Sequence, residues 1–325
     1  VLARYFLKYA KYSSLALVAL AGSATAEGYP ERVVRMVVPF AAGGGTDVLG
    51  RAFAKELTEA FGQNVIVENI GGAAGFIGTQ DVVRSDADGY TLLFAPTAPY
   101  TMAEHATPPA TYDPAEDLIP VARIAAQPIL FSVRSDSGFD TLADFLAVAK
   151  DDPGYLSFSS SGAGGEMHLT GEKLKQASGV DLLHVGYRGG GPAILALVSG
   201  EVDMMPVVTG SIMAYIQDGS VKALATTAPE RLEKLPDVPT MTELGYPEVD
   251  HIPSWGVFVP AGTPDEVVAV LQEVSEKTAT SVAFVEYLDT LSISPAYLPG
   301  ADFLEVLKVQ ADGFGELMST LDLGQ

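Results

Sequence analysis

The chain has no cysteine. Disulfides, thiolate metal sites and cysteine nucleophiles are therefore excluded. Positive charge is scarce: 19 Lys and Arg stand against 41 Asp and Glu, for a net charge of −22. That balance argues against nucleic acid and against an anionic membrane surface as partners. There are four histidines, His105, His168, His184 and His251, far apart in the chain and without an H-x-x-x-H pairing. Glu166 and His168 could share a metal, but a helix-start Glu beside a packing His is the commoner arrangement. No glycine loop ends in Gly-Lys-Ser/Thr, none completes G-x-G-x-x-G, and no G-x-S-x-G surrounds Ser159 to Ser161. The sequence therefore predicts no catalytic residues, no cofactor and no metal, and the chain is expected not to be an enzyme.

No apolar run reaches the roughly 20 residues that a membrane span takes. The N-terminus instead carries export signals. Arg4, Lys8 and Lys11 precede a short apolar core, Leu15 to Ala21, and Ala24-Thr-Ala26 is a small-residue cleavage site. Residues 1–26 are expected to be a signal peptide cleaved near Ala26-Glu27, which exports the protein from the cytoplasm.

What the sequence has in quantity is glycine, 33 residues of it, gathered where strands turn into helices. Met36 to Phe53 reads as a buried strand, a turn at Gly43-Gly-Gly45, and a helix start. Thr46 or Asp47 is the expected N-cap, and Gly62 ends the helix. Val65-Ile-Val67 runs into a second glycine loop, Glu68 to Gly75. Tyr90 to Phe94 is a strand that opens into Ala95-Pro-Thr-Ala-Pro99. Leu156 to Phe158 delivers Ser159 to Gly165 ahead of a helix from Glu166. Leu182 to Val185 leads to Tyr187-Arg-Gly-Gly-Gly191, with Pro192 expected at the first helical position. Thr141-Leu-Ala-Asp144 is a capping box.

Strands alternating with helices predict α/β lobes, each a mostly parallel sheet flanked by helices. In such sheets ligands bind outside the carboxyl ends of the strands. Backbone N–H groups at helix starts there favour an anion. The chain crosses into a second lobe near Gln127-Pro128 and returns with Trp255 to Val259. The expected division is lobe 1 over residues 27–127 and 251–325, and lobe 2 over 128–250. This is the two-lobed periplasmic-binding-protein (Venus flytrap) form, which closes about a hinge. Two helical stretches, Val282 to Leu291 and Ala301 to Leu321, finish the chain.

Several segments together resemble one family, the Bug/TctC extracytoplasmic solute receptors of tripartite tricarboxylate transporters. They are Val38-Pro-Phe-Ala-Ala-Gly-Gly-Gly-Thr-Asp47, Val67-Glu-Asn69 with Gly71 to Gly78, Asp88-Gly-Tyr-Thr-Leu92 and Tyr112-Asp-Pro114. Ser159 to Gly165 with His168-Leu-Thr-Gly-Glu172, Tyr187-Arg-Gly-Gly190, Leu235 to Thr240 and Ser254-Trp-Gly256 complete the set. The resemblance implies a two-lobed periplasmic receptor that captures a small organic carboxylate and hands it to a membrane permease pair. It implies first-lobe contacts from Phe40, Ala42, Gly43, Gly44, Thr46, Asp47, Gly72, Ala73 and Thr97. From the second lobe it implies Ser160, Gly162, Gly164, His168, Tyr187 and Arg188. Read from the residues alone, Phe40 could equally be a core aromatic, Thr46 and Asp47 caps, His168 and Trp255 packing residues, and Arg188 a solvated cation.

The sequence departs from the family pattern at Gly186, where a Pro is usual, and at Met204-Met-Pro-Val-Val208. Apart from Arg188 there is no clear second cation near the cleft, which favours a mono- or dicarboxylate over citrate. The protein is expected to be a monomer. Two other functions fit the sequence: a receptor that feeds a membrane sensor, and an exported α/β hydrolase using a serine of Ser159 to Ser161.

Overall fold

The computed structural model describes residues 28–105, 110–187, 189–291 and 293–320. The expected signal segment and Arg188 lie outside the described residues. In chain order the first part is β1 (Val34–Val38), α1 (Gly45–Phe61), β2 (Val65–Asn69), α2 (Phe76–Val83), β3 (Thr91–Pro96), α3 (Ala98–Thr101), α4 (Pro114–Asp117) and β4 (Leu118–Ala126). The middle is β5 (Ile129–Arg134), α5 (Leu142–Asp151), β6 (Ser157–Ser160), α6 (Glu166–Ser178), β7 (Leu183–Gly186), α7 (Gly190–Ser199), β8 (Met204–Val208), α8 (Thr209–Gln217) and β9 (Val221–Thr226). The chain ends with β10 (Ser254–Pro260), α9 (Asp265–Ala279), α10 (Val282–Thr290), β11 (Ser294–Pro299) and α11 (Gly300–Thr320).

These strands form two sheets, one ordered β11-β4-β10-β3-β1-β2 and the other β7-β6-β8-β5-β9. In the first, β1 pairs in parallel with β2 and β3, and the antiparallel β10 lies between β3 and β4. In the second, β6, β7 and β8 run together, while β5 is antiparallel to both β8 and β9. The strands that run against the rest are those next to the crossings, β5 and β10, together with the edge strand β11.

Register fixes which sheet ends meet. Ser254 pairs with Ala126, and Trp255 with Pro96, so β10 begins where β3 and β4 end. Ile129 pairs with Val208, and Leu130 with Thr226, so β5 begins where β8 and β9 end. The two crossings are joined by a hydrogen bond from Gln127 N–H to the Pro253 carbonyl, 2.9 Å. The chain therefore leaves and enters both sheets at the ends that carry the glycine loops.

Each sheet has its own core. Under the first, Phe53 of α1 stacks on Phe94 of β3 with centroids 5.7 Å apart, and Phe284 of α10 meets it edge-on at 5.8 Å. All three rings are fully buried, each contributing about 1.5–3 kcal/mol by burial. Against the second, Phe131, Phe145, Phe158, Leu174 and Met204 pack together. One helix ties the two sheets. Phe303 and Leu307 of α11 join Phe258 and Val37 of the first sheet. Further along, Phe314 and Leu317 pack on Leu169 of α6.

Three local expectations are corrected. The N-cap of α1 is Gly44, with neither Thr46 nor Asp47 in that position. Both fall inside the first turn, because the helix starts at Gly45. Likewise α7 starts at Gly190 behind an N-cap at Gly189, so Pro192 is its third residue. It still costs no hydrogen bond there, since the first turn has no acceptor for that N–H. Finally, β11 was not expected. Two of its six residues are proline, which suits only an edge strand. By contrast the capping box at Thr141 and Asp144 forms in full.

Candidate functional site

Four helices, α1, α2, α6 and α7, begin in the glycine loops, with Gly44, Gly75, Gly165 and Gly189 as N-caps. None has a side-chain cap. Side-chain caps occur elsewhere, from Asp113 on α4, Thr141 on α5 and Ser281 on α10. A glycine cap leaves the first-turn N–H groups to water or to a ligand, and the helix dipole makes that place favourable for negative charge.

In the first sheet the loops after β1 and β2 lie against each other. A Cβ on Gly71 would stand 3.4 Å from the Ala41 nitrogen. Asn69 closes β2, and its side-chain amide donates to the Phe40 carbonyl at 3.0 Å and to Asp47 Oδ1 at 2.8 Å. Asp47 also accepts from Gly43 N–H at 2.8 Å and pairs with Arg51 at 2.9 Å. Burial raises its pKa, but Arg51, Gly43 N–H and Asn69 outweigh that and hold it at about 2. Asp47 is thus an ionised clamp beneath the loop, with its oxygens already engaged. The exposed part of the loop is Ala41 to Gly45.

Thr46 accepts a hydrogen bond from Trp255 Nε1 at 3.1 Å, which fixes the first turn of α1 to β10. The Phe40 ring is half-buried and closes over Gly75. The loop after β2 is strained. Ala73 has φ of 45°, between Gly72 at 133° and Gly75 at 99°. A non-glycine residue in this region costs of order 1–3 kcal/mol, and such residues concentrate at ligand clamps. Gly78 lets α2 come close behind the loop, since a Cβ there would lie 2.4 Å from the Ile70 carbonyl oxygen and 2.8 Å from Pro39 Cα. Thr97 and Ser254, bonded through backbone at 2.9 Å, both have buried hydroxyls without a partner. The sequence marks Thr97 as a contact and Ser254 only as part of a motif; the strand register between β3 and β10 brings them together.

In the second sheet, Ser160 ends β6 and is fully buried. Its Oγ lies 2.8 Å from His184 Nε2 and accepts from Gly162 N–H at 3.2 Å. Gly164 N–H donates to His168 Nδ1 at 2.9 Å. The rings of His168 and His184 stack with centroids 3.7 Å apart. Histidines that are far apart in the sequence are thus brought into contact. Nor do Glu166 and His168 face each other. His168 faces Glu172 at 3.6 Å, and Glu166 faces His251 at 3.3 Å, outside hydrogen-bonding geometry. The Tyr187 hydroxyl donates to Glu201 at 2.8 Å, while its backbone N–H reaches the Ser160 carbonyl. A cavity of about 430 Å³ lies elsewhere, between α3, α4 and α11, beside Tyr100, Asp113, Lys308 and Asp312. None of the glycine loops borders it.

Two α/β sheets joined by two crossings, with uncapped helix starts at the joined ends, are the architecture of a two-lobed solute-binding receptor. The chain belongs to the tripartite tricarboxylate transporter receptor family, TctC, whose model matches residues 49–323. It is 34% identical to Protein BugT of Bordetella pertussis over 286 residues, covering 86% of each chain. A TctC solute-binding protein from Polaromonas superposes with a TM-score of 0.81 at 32% identity, covering 90% of this chain and all of that one. Two structures from Rhodopseudomonas palustris hold carboxylates. Rpa4515 with adipate matches with a TM-score of 0.74 at 30% identity, over 90% of this chain and 98% of that one. MatC with bound malate matches with a TM-score of 0.72 at 28% identity, over 89% and 100%. No described helix of this chain is long and apolar enough to cross a membrane.

Proposed function

We propose that this protein is a periplasmic receptor that captures a small organic carboxylate in the cleft between its lobes and delivers it to the membrane permease pair of a tripartite tricarboxylate-type transporter. The observation that carries this is the four uncapped helix starts, all at the sheet ends where the chain crosses. Oriented N–H groups bind an anion without a buried cation that would need desolvating when the site is empty. The carboxylates held by the two R. palustris relatives support the same chemistry. In this reading residues 27–127 and 251–325 form one lobe, 128–250 the other, and residues 1–26 are the export signal. The receptor acts as a monomer, without a cofactor.

We assign the contacts to the loops of Ala42, Gly43 and Gly44, of Gly72 and Ala73, and of Gly162 and Gly164; the N–H groups of Gly43, Gly162 and Gly164 are engaged within the protein, so the donors to the anion are the first-turn N–H groups that follow these loops. Phe40, Thr46, Thr97 and Tyr187 shape the walls, and Arg188 supplies a cation. Asp47, Ser160 and His168 hold the loops. Ser160 against His184 is the pair that an exported hydrolase would use. Its Oγ is buried and already held by Gly162, and the nearby carboxylate, Glu172, serves His168. We therefore assign the pair to loop geometry, without catalysis.

The test is thermal unfolding of residues 27–325 with adipate, malate and their diamides. A ligand at 100 times its Kd adds about 2.7 kcal/mol, which raises the midpoint of a chain this size by about 4 °C. A rise with an acid and none with its amide is expected. Equal rises with acid and amide, or none across a panel of mono-, di- and tricarboxylates, would overturn the reading.

A further inference from the structure

The second-sheet loop is held from below by the two stacked imidazoles, and its bond to His168 depends on protonation. His168 is the third residue of α6, and His184 lies on β7 opposite Phe158. Phe158 packs against both rings, with centroids 6.2 and 5.0 Å away. The loop residues Gly164 and Gly162 hang from this stack, the first on His168 Nδ1 and the second through Ser160 on His184 Nε2.

The donor at Gly164 fixes the tautomer of His168. Its Nδ1 accepts and so carries no proton, and the ring proton is on Nε2, toward Glu172. A second proton would have to go on Nδ1, where it would point at the Gly164 N–H. That bond and protonated His168 are mutually exclusive. The charged groups acting on the stack are Glu172 and Lys175, both on α6. The strands contribute Ser160 and Phe158. Burial first, and then the neighbouring His168, hold His184 down at about 4, against the pull of Glu172. Two stacked rings also resist double protonation by like-charge repulsion.

We propose that His168 and His184 are positioning residues for the ligand loop at 160–165, and that a proton on His168 Nδ1 releases Gly164 and weakens carboxylate binding. This rests on the receptor reading above. A receptor built this way holds its ligand less tightly when His168 is protonated.

The loop is followed first without a ligand. In the protein labelled with 15N, the Gly164 amide and the ring nitrogens of His168 are recorded from pH 8 to 5. The Gly164 amide resonance is expected to move with the His168 titration, and its hydrogen exchange to quicken. His168→Asn keeps an acceptor near the Nδ1 position but does not titrate, so in that variant the amide should stay in place. A Gly164 amide that ignores the titration of His168, or a His168 that takes up no proton above pH 5, overturns the proposal.

The second readout is the ratio of the adipate Kd at pH 5.5 to that at pH 7.5. Protonation of adipate itself enters wild type and H168N alike, so the latch is the difference between their ratios. The wild-type ratio should be about tenfold larger, the weight of one hydrogen bond with its unpaired partner. Equal ratios contradict the proposal. If adipate binds at neither pH, the receptor reading loses support for that acid, while the Gly164 titration still decides the latch.

Discussion

Asp47→Asn tests the account of the first loop at a single atom. The substitution keeps the volume and one acceptor oxygen for Gly43 N–H, and removes the charge. Moving a carboxyl from 3.8 to about 2 is worth about 2.5 kcal/mol of folding stability at neutral pH. The carboxylate is covered but lies just beneath the surface loop, and its partner Arg51 is half exposed. Solvent screening trims the figure to about 1–2 kcal/mol. Because the folded value lies below the unfolded one, the stabilisation is complete well above 3.8 and is lost as the pH falls through about 2. The gap between wild type and D47N should therefore be full at pH 7 and roughly halved at pH 3. Urea unfolding at the two pH values measures both gaps, with equal slopes as the check that unfolding is comparable. Equal stability of the two proteins at pH 7, or a gap of unchanged size at pH 3, would refute the clamp.

Gly78→Ala should cost about 2–3 kcal/mol in urea unfolding, because the added methyl meets backbone of Ile70 and Pro39 that cannot turn away; a neutral substitution would mean that α2 moves freely behind the loop. Phe314→Ala should cost about 3–5 kcal/mol, since this buried ring joins α11 to Leu169 of α6 and meets His251 edge-on at 4.6 Å. A cost below 1 kcal/mol would remove α11 as the tie between the sheets. Trp255 is the chain's one tryptophan, and it stands on the first turn of α1. Its fluorescence should change when a carboxylate binds, and an unchanged spectrum under calorimetrically proven binding would place the ligand elsewhere.

The alternation of buried strands, glycine turns and helices was readable because each signal is local. Val34–Val38 is apolar except for Arg35, and Gly62 and Gly179 end α1 and α6 in the left-handed conformation. Thr141 and Asp144 make their capping box within four residues. The misses are non-local. Thr46 resembles a cap, but the helix extends back to Gly45 and leaves its hydroxyl for Trp255, 209 residues away. β11 hides behind its prolines and is defined only by its partner β4. The histidine stack could not be read at all, because the pairing of β6 with β7 and the placing of α6 over them are what bring His168 to His184. Asp47 was read as a ligand contact or a cap, and only the positions of Asn69 and Arg51 reveal it as a clamp.

The central claim is that a carboxylate is held by backbone N–H groups at uncapped helix starts. It is tested most directly by amide chemical shifts of 15N-labelled protein, titrated with the acid that gives the largest thermal shift. The account predicts large downfield changes at the first-turn amides of residues 45–47, 166–168 and 190–191, and at Gly72 and Ala73, saturating together with one Kd. Changes centred on the cavity between α3, α4 and α11, with the glycine-loop amides unmoved, would contradict it.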